Sequence, residues 1–217
     1  MLLENGSKLV MIGDSVTDCE RARPVGEGLF EGIGRSYVSV VAGLLDFAYP
    51  DARLRVVNMG TSGDTTRNLV ARWQTDVLDL APDWVSVMIG INDVWRQFDS
   101  PLLTEQHVLL DEYEKNLETL VSSTLPHTKG MILISPYYME PNAADPMRAA
   151  MDRYGAAMAR VAAAHKLPFV DTQAVFNEKL RHVHANAIAW DRVHPNSKGH
   201  ILLAAAFLNA VGFEWPK

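Results

Sequence analysis

The chain contains 217 residues, of which 48% are hydrophobic and 21% are charged, and its formal net charge is −6. This length and ordinary composition predict one globular domain over residues 1–217, large enough to bury a single core. The negative charge argues against nucleic acid or an anionic membrane as the main partner, since both attract a basic surface.

Membrane-spanning and disulfide-bonded proteins are also disfavoured. No apolar run approaches the roughly 18 residues that a membrane span needs. The single cysteine, Cys19, excludes an intrachain disulfide and a multi-cysteine zinc site. Residues 1–8 do not show a basic stretch followed by a long apolar one, so a cytoplasmic location is expected.

Short apolar runs alternate along the chain with longer amphipathic segments. Apolar residues recur at helical spacing in the amphipathic segments, as Tyr37, Val41 and Leu44 do in the first. The predicted elements, in chain order, are a strand at 8–13, a helix at 35–48, a strand at 54–58, a helix capped by Asp64 or Thr65, a strand at 84–89, a helix at 105–125, a strand at 131–135, a helix at 146–165, a strand at 169–170 and a helix from Asn196 to about 210.

The alternation of strands and helices predicts the fold class. Strand–helix–strand units pair their strands in parallel through right-handed crossovers. The strands are almost wholly apolar, which is typical of a sheet covered by helices on both faces. The predicted fold is therefore α/β, a three-layer α/β/α sandwich with a central five-stranded parallel sheet. Ligands of such sheets bind beyond the carboxyl ends of the strands, so the loops that follow the strands are candidate sites.

A serine follows the first predicted strand, in the run GDSVTD at residues 13–18. Ser15 is a candidate nucleophile at the mouth of the sheet, although serine also serves simply as a turn or cap residue. The G-x-S-x-G elbow of α/β-hydrolases is absent, because Thr17 stands where the second glycine would be. Taken alone, this run leaves both interpretations open.

The loops after the second and third strands contain candidate hydrogen-bond donors. The glycines at 60 and 63 either make a turn or allow a backbone N–H to approach a substrate oxygen closely. Asn92 would bring a side-chain carboxamide to the same edge, although asparagine is also common in turns. Donors of this kind form an oxyanion hole, and losing one typically costs about 10²–10³ in turnover.

The motif D-x-x-H precedes the last predicted helix. His194 is a candidate general base, and Asp191 can accept from one ring nitrogen while the other takes a proton from serine. Alone, this spacing is also that of an ordinary helix-entry loop. Together, four loops supply a nucleophile, oxyanion donors and a base with its orienting acid. Their convergence at one edge of one sheet predicts a serine hydrolase.

These short runs resemble the motif blocks of the SGNH (GDSL-type) hydrolase superfamily, whose fold is flavodoxin-like. GDSV at 13–16 is similar to the first block, with Val16 where leucine is usual. Residues 60–63, 90–93 and 191–194 are similar to the other three blocks. Every catalytic position of the superfamily is therefore filled in this chain.

The resemblance implies a role for each of these residues. Ser15 would be the nucleophile, His194 the base and Asp191 the residue that orients the base. The N–H groups of Ser15 and Gly63 and the side chain of Asn92 would form the oxyanion hole. Neither a metal nor a cofactor is expected to take part.

Longer runs resemble the intracellular acetyl-xylooligosaccharide esterases of this superfamily, over residues 8–216. The runs are GDSVTDCERARPVGEG, MIGINDVWRQ, DPMR, VDTQAVFNE and AWDRVHP. The resemblance implies a cytoplasmic enzyme that removes acetyl groups from xylose-based oligosaccharides and assembles as a homo-oligomer, by resemblance an octamer. A lysophospholipid, a thioester or another small ester remains the alternative substrate, because neighbouring groups share the core blocks.

Four aromatic residues near strand ends or catalytic loops are candidate sugar-binding side chains. They are Trp95, Tyr137, Tyr138 and Trp190. Aromatic rings stack on the apolar faces of sugars, but such residues belong equally often to a core or an interface. Trp215, near the C-terminus, is a candidate contact with a partner subunit.

Three other classes of protein fit the sequence less well. His182 and His184 form an H-x-H pair that could bind zinc near Asp191 and His194, but too few further ligands stand nearby. Glycines at 26, 28, 32 and 34 suggest nucleotide binding, but Glu31 breaks the G-x-G-x-x-G pattern. A non-catalytic binding module would lack the serine, the asparagine or the histidine of the blocks, and all three are present.

Overall fold

The computed structural model describes residues 1–215 and is built on one five-stranded sheet. The strands are β1 (Lys8–Gly13), β2 (Arg55–Asn58), β3 (Trp84–Met88), β4 (Gly130–Ile134) and β5 (Phe169–Val170). All neighbouring strands run parallel, in the order β2-β1-β3-β4-β5. The predicted α/β fold with a central five-stranded parallel sheet is therefore confirmed.

Eight α-helices occur within residues 1–215; six of them lie between strands, and the last two follow β5. They are α1 (Ser15–Asp18), α2 (Tyr37–Ala48), α3 (Thr66–Asp76), α4 (Ile91–Asp99), α5 (Leu110–Thr124), α6 (Pro146–Ala164), α7 (Thr172–Leu180) and α8 (Ser197–Ala210). Of the helices in this described part of the chain, none is long and apolar enough to cross a membrane.

The core consists of two apolar clusters, one on each face of the sheet. Successive residues of a strand point to opposite faces. Val10 and Ile12 of β1 accordingly join the cluster that includes α3, α5 and α6, whereas Leu9 and Met11 join the cluster that includes α2 and α8. The sheet is thus covered on both sides, which explains why its strands are apolar throughout.

Three helices, α1, α4 and α7, are absent from the prediction. α1 has four residues, α4 and α7 have nine each, and all three begin close to the end of a strand. Their first turns contain or follow polar residues such as Asn92 and Asp171, which by themselves favour turns. Helix α5 also begins at Leu110 rather than at 105, because residues 104–106 form a separate 3₁₀ turn. Hydrophobic periodicity in the sequence therefore does not reveal short helices at strand ends.

The carboxyl end of β1 lies at the point where the order of the strands reverses. β1 pairs with β2 on one side and with β3 on the other. Because parallel strands end at the same edge, the loops that follow these three strands meet there. This crevice is the preferred ligand-binding position of an open parallel sheet.

Candidate active site

Ser15 is the first residue of α1 and follows β1 after a single intervening residue. That residue, Asp14, caps the helix: its backbone is extended, and its side chain accepts a hydrogen bond from the Val16 N–H at 3.0 Å. The abrupt change from strand to helix leaves the Ser15 side chain at the edge of the sheet, within hydrogen-bond distance of His194.

Ser15, His194 and Asp191 form one hydrogen-bonded chain. Ser15 Oγ lies 2.8 Å from His194 Nε2, and His194 Nδ1 lies 2.6 Å from Asp191 Oδ2. The ionised carboxylate can only accept, so Nδ1 carries the proton and Nε2 accepts from the serine hydroxyl. This arrangement of nucleophile, base and orienting acid is the one that acyl transfer requires.

The Asp191 carboxylate is kept ionised by the hydrogen bonds that it accepts. Oδ1 accepts from the backbone N–H of Val193 at 3.0 Å and from that of His194 at 2.8 Å. Partial burial acts to raise the pKa of Asp191, but the His194 side chain and these two N–H groups outweigh it, and the pKa lies below its usual value. A charged carboxylate at this position stabilises the imidazolium that forms when the histidine takes a proton.

Two backbone N–H groups, those of Ser15 and Gly63, are candidate oxyanion donors. As the first residue of α1, Ser15 has an N–H with no intrahelical acceptor. Gly63 has a φ of 86°, in the left-handed region that glycine adopts without strain, and open space lies where a Cβ would be. Neither N–H donates to another residue in the described range 1–215.

Two hydrogen bonds set the orientation of the Asn92 carboxamide. Its Nδ2 donates to the Asp64 carbonyl oxygen at 2.9 Å, and its Oδ1 accepts from Arg96 Nη2 at 3.2 Å. An amide nitrogen has two N–H groups, so one remains for a further acceptor. Sequence reasoning missed Arg96; its position four residues after Asn92 becomes informative once α4 is known to be a helix.

Buried polar side chains connect the loop after β1 to the loop after β2. Asn58 is fully buried; its Nδ2 donates to the Thr17 carbonyl oxygen at 2.7 Å, and its Oδ1 accepts from the Gly60 N–H at 2.9 Å. Asp18 Oδ2 accepts from the N–H of Ser62 at 3.0 Å and from its hydroxyl at 2.9 Å. These hydrogen bonds fix the loop after β1, which carries the Ser15 N–H, relative to the loop after β2, which carries the Gly63 N–H.

Two further carboxyl groups are buried at the same edge. Burial raises the pKa of Asp14 to about 7, and the hydrogen bond from Val16 offsets this only in part. Burial also raises the pKa of Asp93 to about 7, although its carboxyl accepts from the N–H of Thr66 at 3.0 Å and from the hydroxyl at 2.6 Å. Asp93 therefore connects α4 to the first residue of α3.

The predicted sugar-binding aromatics differ in their accessibility. The ring centroid of Trp95 lies 6.0 Å from that of His194. Trp190 is 82% exposed and precedes Asp191 in the chain. Both rings remain candidates for stacking on a sugar. Tyr138 is half-buried, and its N–H donates to Gln173 Oε1 at 2.8 Å.

The position of Tyr137 in the structure contradicts the prediction that its ring contacts the substrate. Its side chain is only 3% exposed and packs against Phe176, with ring centroids 4.4 Å apart. Its hydroxyl donates to the Val193 carbonyl oxygen at 2.9 Å. The residue follows β4 into the core, so its ring face is covered, and its polar contact is with the loop that carries the histidine.

The H-x-H pair is oriented toward its own neighbours. His182 Nε2 lies 3.7 Å from Glu178 Oε1, and His184 Nδ1 accepts from the Asn186 N–H at 3.3 Å. Within residues 1–215, no group of three or more His, Cys, Asp or Glu side chains could hold a metal ion. The zinc alternative therefore gains no support from the described part of the chain.

Known proteins resemble this chain over nearly its whole length. Residues 11–202 match the model of the GDSL-like Lipase/Acylhydrolase family. An acetylxylan esterase from Geobacillus stearothermophilus is 55% identical over 215 residues, which cover 99% of this chain and 98% of that protein.

Solved structures agree with this relationship. The crystal structure of Axe2, an acetylxylan esterase from Geobacillus stearothermophilus, is 55% identical and has a TM-score of 0.98, covering 100% of this chain and 99% of the other. Catalytic mutants of Axe2, namely S15A, D191A and H194A, have the same TM-score and coverage at 54% identity. LAE5, an α/β-hydrolase enzyme from the metagenome of Lake Arreo in Spain, is 54% identical, with a TM-score of 0.96 over 98% of each chain.

A parallel sheet with a hydrogen-bonded serine, histidine and aspartate at its carboxyl edge defines the class of this protein as an α/β ester hydrolase. The chain belongs to the GDSL-like lipase/acylhydrolase family.

Proposed function

We propose that this chain is a single-domain serine esterase that removes acetyl groups from xylo-oligosaccharides. The observation that carries the proposal is the continuous hydrogen-bonded chain from Ser15 Oγ through His194 to Asp191, at 2.8 and 2.6 Å. The substrate class rests on the full-length similarity to an acetylxylan esterase.

In the first half of the proposed reaction, Ser15 Oγ attacks the acetyl carbonyl carbon while His194 Nε2 takes the hydroxyl proton. The carbonyl oxygen becomes an oxyanion, to which the N–H groups of Ser15 and Gly63 and Nδ2 of Asn92 donate. His194 then gives its proton to the sugar oxygen as the bond between that oxygen and the carbonyl carbon breaks. The sugar leaves with a free hydroxyl, and an acetyl-enzyme remains on Ser15.

In the second half, water attacks the acetyl-enzyme and His194 takes a proton from the water. The same donors stabilise the second oxyanion, and its collapse releases acetate and returns the proton to Ser15 Oγ. Asp191 stabilises the imidazolium in both halves without itself being protonated. No metal or cofactor enters any of these steps.

The decisive experiment measures acetate release from acetylated xylo-oligosaccharides by the wild type and by Ser15→Ala, each with and without a chelator. Ser122→Ala, which changes an exposed serine on α5, is the matched control. We expect chelator-resistant release by the wild type and the control, and a collapse in Ser15→Ala. A residual rate of about 10³–10⁴ over water is compatible with the proposal, because binding and the oxyanion hole survive.

The other outcomes separate the mechanism from the substrate. If the sugar releases no acetate but phenyl acetates are turned over in a Ser15-dependent way, the substrate assignment is wrong. Lysophospholipids and thioesters are then the next substrates to assay. If Ser15→Ala releases acetate as fast as the wild type, the serine mechanism is wrong.

We also propose that the protein is a cytoplasmic homo-oligomer, by resemblance an octamer. Several large apolar side chains on the surface support an interface: Leu29 is 84% exposed, Phe30 99%, Leu102 90%, Trp190 82% and Trp215 45%. Light scattering on the purified protein tests the assembly, and the mass of a single chain at micromolar concentration would refute it. Fractionation of the source cells tests the location.

A further inference from the structure

The loop that carries the candidate base contains a strained residue. Arg192 has a φ of 65°, in the left-handed region that side-chain-bearing residues rarely adopt. A backbone conformation of this kind persists where surrounding contacts determine it. Arg192 lies between Asp191 and His194, so whatever holds it also sets the position of the imidazole.

The segment after β4, residues 137–140, makes three contacts with this loop. The Tyr137 hydroxyl donates to the Val193 carbonyl oxygen at 2.9 Å. The Met139 N–H donates to the Arg192 carbonyl oxygen at 2.9 Å. The Glu140 carboxylate forms an ion pair with the Arg192 guanidinium. Two successive carbonyl groups immediately before His194 thus accept hydrogen bonds from the same segment.

The 137–140 segment is itself attached to two helices. Gln173 of α7 bonds both backbone groups of Tyr138: its Oε1 accepts at 2.8 Å and its Nε2 donates at 3.1 Å. Arg148 of α6 donates to the Glu140 carbonyl oxygen at 2.5 Å. Gln173 is 9% exposed and Arg148 is 6% exposed, so both residues are buried. The segment therefore connects the packed helices to the catalytic loop.

We propose that Tyr137 and Glu140 are positioning residues that keep His194 within reach of Ser15. They act through Arg192 and Val193 and not through contact with the reacting atoms. The inference rests on the proposed serine mechanism. Misplacement of a catalytic group by about 1 Å can cost roughly 10²-fold in rate, so loss of one of three supports should cost about tenfold or more.

The test compares Tyr137→Phe and Glu140→Gln with the wild type in the hydrolysis of p-nitrophenyl acetate. Tyr154→Phe is the matched control, because Tyr154 is also 3% exposed and its hydroxyl donates to a backbone carbonyl, that of Val108, at 2.7 Å. We expect both variants to lower kcat about tenfold or more with KM unchanged within twofold. The control should lose similar thermal stability and keep the kcat of the wild type.

A spectroscopic measurement separates positioning from general destabilisation. The Nδ1–H of His194 should give a far-downfield proton resonance through its hydrogen bond to Asp191, identified by its loss in Asp191→Ala. We expect this resonance to shift or broaden in Tyr137→Phe and Glu140→Gln and to remain in Tyr154→Phe. Unchanged kcat and an unchanged resonance in both variants would overturn the proposal.

Two further outcomes are informative. The double variant Glu140→Gln/Arg192→Gln should lose no more activity than the less active of the single variants Glu140→Gln and Arg192→Gln, because each change removes the same ion pair. Additive losses would refute the role of that pair. If Ser15→Ala retains full turnover, the serine mechanism fails, and the His194 resonance alone then decides whether the 137–140 segment holds the imidazole.

Discussion

Replacing Asp93 by asparagine should make the stability of the protein less dependent on pH. The Asp93 side chain is fully buried and accepts hydrogen bonds from the N–H and hydroxyl of Thr66. Burial raises its pKa from the usual 3.8 to about 7, and these hydrogen bonds offset the effect only in part. Asparagine keeps an acceptor oxygen for Thr66 and brings no charge into the interior.

The magnitude follows from proton linkage. Between about pH 4 and pH 7 the folded protein retains the Asp93 proton, whereas an unfolded chain has released it. The contribution to stability is therefore fully present below pH 4 and is lost as the pH rises through 7. One pKa unit corresponds to about 1.36 kcal/mol, so two units, from pH 5 to the folded pKa near 7, amount to about 2.7 kcal/mol. Asp93→Asn should gain that amount over the wild type between pH 5 and pH 8.

Urea unfolding of both proteins at pH 5, 6, 7 and 8 measures the difference in the free energy of unfolding. Asp83→Asn is the control, because the hydrogen bond from the Lys8 N–H and the nearby Lys129 hold the pKa of Asp83 below its usual value. Asp83 is thus ionised over this range whether the chain is folded or not, and its variant should differ from the wild type by a constant. A constant difference for Asp93→Asn as well would refute the reasoning.

Three further predictions, two on variants and one on the reactivity of Cys19, concern other parts of the structure. Asn92→Ala should lower kcat for p-nitrophenyl acetate by about 10²–10³ in steady-state assays, and a loss below tenfold would exclude Asn92 from the oxyanion hole. Gly60→Ala should destabilise the protein by about 1–3 kcal/mol in thermal unfolding, because the new Cβ would lie 2.3 Å from the Asp18 backbone nitrogen. The control Gly43→Ala places its Cβ in open space on α2 and should not destabilise the protein. Equal stabilities of the two variants would contradict this reasoning. Cys19 should react slowly with iodoacetamide at pH 8, since burial raises its thiol pKa to about 11 and leaves about one thiolate in 10³; alkylation at the rate of a free peptide thiol would refute that.

Local patterns in the sequence predict the sheet well. The strand predicted at 8–13 coincides with β1, because a strand covered on both faces must be apolar at every position. The cap residue Asn196 marks the start of α8 for an equally local reason: its side chain accepts from the Lys198 N–H, two residues on. Neither inference needs a residue from another part of the chain.

The candidate catalytic groups are also readable from the sequence, since each one follows or precedes an element that periodicity reveals. Ser15 comes just after β1, and Asp191 and His194 come just before α8. Parallel strands of one sheet end at one edge, so topology brings together the loops that follow β1, β2 and β3. The loop with Asp191 and His194 lies between α7 and α8 and is held at this edge by contacts such as the hydrogen bond from the Tyr137 hydroxyl to the Val193 carbonyl oxygen. The sequence thereby determined the fold class and the type of chemistry at the site.

Only the tertiary structure decided what surrounds these groups. Tyr137 is an aromatic residue of the kind that stacks on sugars, but it lies in the core. Its hydroxyl donates to the carbonyl oxygen of Val193, 56 residues away in the chain. Asn58, at the end of β2, and Asp93, on the short helix α4, act through partners on other elements. Whether a polar side chain is buried, and against which partner, depends on contacts between distant segments, and such contacts leave no periodic signal in the sequence.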